Sequence, residues 1–102
     1  MKRFEQILNE LKLEMHDMTF SETVREARDR LGLLQYRAAQ HMKMPMPRLK
    51  NLETGYFRDM PTTAEINEIC DFYELPRDKM VRKAQQHILK HVKRKKIRTI
   101  HD

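Results

Sequence analysis

The chain has one cysteine, two glycines and four prolines among 102 residues, and each scarcity excludes something. Cys70 alone forms no intramolecular disulfide, so the fold must stand on its core, as suits a reducing cytoplasm. Two glycines cannot build a glycine-rich phosphate loop. No serine or cysteine has a plausible base beside it, so the chain does not read as an enzyme. Apolar runs are too short to span a bilayer. Residues 1 to 18 are not a secretory leader, because Glu5, Glu10, Glu14 and Asp17 interrupt every apolar stretch. Internal repeats and low-complexity segments are also missing, apart from a basic tail.

Charge is plentiful. Charged residues make up 35% of the chain and its mean hydropathy is −0.84, which implies one small domain with extensions and a modest core. The net charge of +6 is unevenly spread. Residues 79 to 98 hold nine Lys or Arg and no acid, which leaves twelve bases against 15 acids elsewhere. Within Arg37 to Arg58, however, Arg37, Lys43, Arg48, Lys50 and Arg58 face only Glu53. A local basic face on a near-neutral body is what phosphate contact requires.

Helical periodicity runs through the chain. Phe4, Ile7, Leu8, Leu11, Met15 and Met18 recur at spacings of three and four, one apolar stripe of an amphipathic helix over 1–18. That stripe either packs on its own domain or pairs with the same helix of a second copy. Thr19 and Glu22 are spaced as a capping box, ahead of a helix with Val24, Ala27, Arg28 and Leu31 on one face and Gly32 as its left-handed stop. Arg28 on that apolar face demands a partner. Thr62 and Glu65 form another candidate box, opening a helix with Ile66, Ile69, Cys70 and Tyr73 on its stripe. Cys70 there reads as a small buried apolar residue. Pro76 fits the first position of a last helix, whose early turns close the core and which projects or frays beyond Ile88. The domain organisation is thus 1–18, 19–75 and 76–102.

Between these helices lies Gln35 to Gly55, QYRAAQHMKMPMPRLKNLETG. It reads as a short helix with paired Ala38 and Ala39, a turn at Lys43 and Met44, and a second helix with Leu49 and Leu52 inward. With Arg28 upstream, Gln35 first, Ala39 in the middle, and Leu49, Leu52, Glu53 and Gly55 following, the stretch resembles the helix-turn-helix of the phage Cro and repressor type, often called the XRE family. The resemblance covers residues 19 to 75.

It implies an all-α fold: a five-helix Cro/repressor-like domain with an added N-terminal amphipathic helix and an extended basic C-terminal helix. It further implies a transcriptional regulator, most simply a repressor, binding double-stranded DNA as a homodimer on a pseudo-palindrome with half-sites one helical turn apart. Such a protein is cytoplasmic, and nucleoid-associated when bound, with no cofactor. The family also pairs the acid at Glu53 with Arg28, a structural ion pair. In the family the second helix enters the major groove, where Met46, Pro47, Lys50, Asn51 and Thr54 face outward. Asn51 suits adenine, Lys50 guanine or phosphate, and Arg48 a phosphate on the flank. Gln35 contacts the backbone at a helix N-terminus, and Tyr36, Arg37, Tyr56 and Arg58 extend those contacts.

Several positions depart from the family. Lys43 stands where a turn glycine is common, and Leu34 where a Ser or Thr cap is usual. Met46 and Pro47 stand where polar base-reading residues are frequent. The alternative is therefore a helix-turn-helix kept for protein contacts, as in an antirepressor, a regulatory subunit or an antitoxin. Lys93, Arg94, Lys95 and Lys96 are either a solvated tail or a non-specific phosphate arm, which also leaves RNA as a third partner. A membrane surface fits the tail less well, since its apolar line is thin and has no aromatics. His87 and His91 have a metal-compatible i, i+4 spacing, but a site needs three or four ligands and no acid or cysteine lies near.

Overall fold

The computed structural model describes the backbone over residues 18–101 and side chains as far as His91. The helix expected over 1–18 lies, except for Met18, outside the described residues. What is described is all helical, in five elements: α1 (Phe20–Arg30), α2 (Gln35–His41), α3 (Met46–Thr54), α4 (Thr63–Tyr73) and α5 (Arg77–His101).

Local chemistry sets most of the boundaries. Thr19 Oγ1 accepts the Glu22 N–H at 3.1 Å while Glu22 Oε1 accepts the Thr19 N–H at 3.1 Å, so the capping box starts α1. Thr62 and Glu65 do the same for α4, at 3.1 and 2.8 Å. At the end of α1, Gly32 takes φ 66°, and Leu33 N–H donates back to the Arg28 carbonyl, the paired bonding of a Schellman stop. Gly55 closes α3 at φ 85°. Leu34 precedes α2 with no side-chain cap, as its apolar chain dictates. Pro76 stands one residue earlier than expected: α5 starts at Arg77, and the Pro76 carbonyl receives the Met80 N–H at 3.1 Å.

Among the described residues two non-glycines accept the left-handed region, Lys43 at φ 53° and Glu74 at φ 55°. The first is where the family pattern has glycine. The second was unforeseen: Leu75 N–H must return to the Cys70 carbonyl, at 3.0 Å, before Pro76.

The core is one cluster. Phe20 and Val24 of α1, Ala38 and Ala39 of α2, Leu49 and Leu52 of α3, Ile66 and Ile69 of α4, and Met80 and Ala84 of α5 meet in it, with Met42 and Met44 beneath the turn. α1 lies against α3, α4 and α5, α2 packs on α3, and α4 on α5. Ala38 and Ala39, both buried, let α2 and α3 approach closely. Phe57, from the loop after α3, joins the core edge-on to Phe20 with ring centroids 5.6 Å apart. Of the two courses expected beyond Ile88, projecting or fraying, the backbone takes the first: α5 continues to His101, about 37 Å at 1.5 Å per residue.

Candidate functional site

α3 and its surroundings are built in two layers. Pro45 precedes the helix in extended backbone, its fixed φ suiting that role, and its carbonyl receives Leu49 N–H at 3.1 Å. Pro47 sits in the first turn, where no N–H is needed. Helical spacing then sorts the side chains. Leu49, Leu52 and Glu53 are buried, whereas Met46, Pro47, Lys50, Asn51 and Thr54 are exposed. Thr54 Oγ1 donates to the Lys50 carbonyl at 2.8 Å, which turns its hydroxyl back on the helix.

The inner layer is polar at one point. Glu53 Oε2 accepts Arg28 Nε at 2.8 Å and its Oε1 accepts Arg28 Nη2 at 3.1 Å, a two-pronged pair with the Glu53 side chain only 1% exposed. Arg28 Nη1 also donates to the Leu33 carbonyl at 2.8 Å. Gln35 Nε2 donates to Glu53 Oε1 at 3.0 Å. Gln35, expected outside on a phosphate, is thus turned inward, because a carboxylate buried beside the start of α2 draws its amide donor. Tyr73 is buried with a hydroxyl that has no hydrogen-bond partner among the described residues, and burial with the nearby Glu53 charge pushes its pKa up to about 12.

Arg48 is similarly engaged. Its Nε donates to Glu65 Oε2 at 2.6 Å and its Nη2 to Oε1 at 3.0 Å, which ties α3 to α4. The same Glu65 Oε1 accepts the Thr62 N–H, so one carboxylate serves both the cap and the clamp, and the Arg48 guanidinium leads the effects that hold its pKa below the usual range. Sequence spacing carried no signal for this pair. Of the remaining candidates, Tyr36 and Arg37 are exposed and stacked, the guanidinium 5.5 Å from the ring centre. Lys43, Tyr56 and Arg58 are exposed around the same helices. Lys93, Arg94, Lys95 and Lys96 lie on the α5 backbone, but their side chains are outside the described residues.

The loop after α3 is held by α5. His87 stacks on Phe57 with centroids 3.9 Å apart, and its Nε2 lies 3.0 Å from the Phe57 carbonyl oxygen. His91 Nε2 is a further 3.0 Å from His87 Nε2. Among the described residues no three His, Cys, Asp or Glu side chains converge as metal ligands. Burial, chiefly, lowers the His87 pKa, and Cys70 is buried with its thiol pushed up for the same reason. No described helix is long and apolar enough to cross a membrane.

What this assembly offers is an exposed helix face carrying an amide and an ammonium, rigidly backed by a buried ion pair. Comparison with known proteins adds no label, since no family model, curated protein or solved structure matches the chain.

Proposed function

We propose that the chain is a sequence-specific DNA-binding regulator of transcription, with α2 and α3 as a helix-turn-helix of the Cro and repressor type and the homodimer on a pseudo-palindromic operator as its working form. The observation that carries this reading is the division of α3: Lys50 and Asn51 outward, Leu49, Leu52 and Glu53 inward, with Glu53 bonded to α1 and α2. A reading helix needs this combination, base-competent donors on one side and a backing that fixes its register on the other.

In this reading Asn51 and Lys50 address base edges, and Met46 and Pro47 lie against thymine methyl groups. Arg37, Lys43 and Arg58 take phosphates, with Lys93 to Lys96 as a non-specific arm. Gln35 and Arg48 act from behind, held by Glu53 and Glu65. The test is selection of bound fragments from random duplex DNA near physiological salt, followed by Lys50→Ala with Asn51→Ala. A pseudo-palindromic motif that the double variant fails to enrich, while remaining folded, supports the proposal. Absence of any salt-sensitive binding at micromolar protein sinks it.

One observation favours a second reading, a helix-turn-helix that docks a protein: Met46 is 45% exposed beside Pro47 at the tip of α3. A protein captured through this face, and lost with Met46→Glu but not with Asn51→Ala, separates the two.

A further inference from the structure

Away from the polar network, an apolar cleft of about 450 Å³ opens between the C-terminal half of α1 and the end of α4. Ala27, Leu31, Phe72 and Leu75 line it together with Glu26 and Arg30, which pair at 3.4 Å. Leu31 is 54% exposed and the other three only partly covered, so the described residues leave an apolar groove open to water.

Met18 says what covers it. This residue lines the cleft, and it is also the last member of the stripe formed by Phe4, Ile7, Leu8, Leu11 and Met15. Its position is fixed, because the Met18 carbonyl accepts a hydrogen bond from the ammonium of Lys83, a buried residue of α5. The stripe therefore joins the domain at the lip of a groove whose apolar lining matches it, with one stripe residue already inside. We propose that the apolar stripe of residues 4 to 15 lies along this groove of its own chain, closing it over Leu31 and Phe72. Attachment directly at the lip gives the segment an effective concentration on the order of millimolar, which favours it over a second copy at micromolar protein.

The inference is independent of the DNA reading. Its test uses the intact chain and needs no variant: nuclear Overhauser contacts between the methyls of Ile7, Leu8 or Leu11 and the ring protons of Phe72. Contacts within one chain are expected. Their complete absence overturns the proposal, and so does their appearance only between differently labelled chains of a mixed sample, which would assign the groove to a second copy. As a second measurement, Leu31→Ala should weaken urea resistance in the intact chain and lose most of that effect once Leu8→Ala and Leu11→Ala are present. Strict additivity of the substitutions would also overturn the proposal.

Discussion

Glu53 is the residue on which three helices depend. Its carboxylate receives two bonds from Arg28 and one from Gln35, while Arg28 also holds the Leu33 carbonyl just past the end of α1. Removing the charge in Glu53→Gln leaves a guanidinium only 14% exposed facing a neutral amide, an expected loss of about 3 kcal/mol in urea unfolding. Arg30→Ala is the control. It deletes an i, i+4 pair whose partners are 51% and 43% exposed, worth less than about 0.5 kcal/mol. Equal losses from the two variants would refute the claim that the buried network holds α3 in register. Half of this network was legible in the sequence: a lone arginine on an apolar stripe required an acid, and the family resemblance named Glu53. Gln35 was not, because its bond to Glu53 joins residues 18 apart and no local pattern encodes it.

At the scale of elements, starts and stops were the readable part. Both capping boxes and both glycine stops rest on contacts within six residues, so side-chain type and spacing suffice to specify them. The turn between α2 and α3 is the local misfit. Lys43 holds φ 53° with an exposed side chain, so Lys43→Gly should raise the unfolding midpoint, a gain of up to about 1 kcal/mol. Thermal unfolding of that variant beside Gln40→Gly checks it. The latter places glycine inside α2 and should lose stability, by about 1 kcal/mol. A drop in both variants would mean the turn is not strained. The join between α3 and α4 escaped the sequence reading, since Arg48 looked like a surface cation until α4 set Glu65 against it.

For the whole molecule, the shifted groups set the response to acid. The His87 pKa is lowered from its ordinary 6.5 mainly by burial, so the folded state disfavours its protonation, and stability present above pH 6.5 falls as pH drops below that value. Glu22 and Glu65 have pKa values lowered from 4.5, through bonds from Thr19 and Arg48 respectively, so their contribution is present above pH 4.5 and is lost as pH falls from there through the lowered values. Urea midpoints between pH 7.5 and 3 should therefore decline in two stages, and His87→Gln should flatten the upper one while sparing the lower. An unchanged upper stage would exclude His87 as its source. The sequence by itself determined the helical class, the order of the described helices and the faces they bury, because periodicity, caps and glycines act through near neighbours. Only the tertiary structure decided which charged and polar side chains remain available. Glu53 claims Gln35, Glu65 claims Arg48, and Lys83 anchors Met18, each across a separation that only packed helices can close. The physical reason is that burial makes an unpaired charge or polar group costly, so each is drawn to whichever partner the fold brings near.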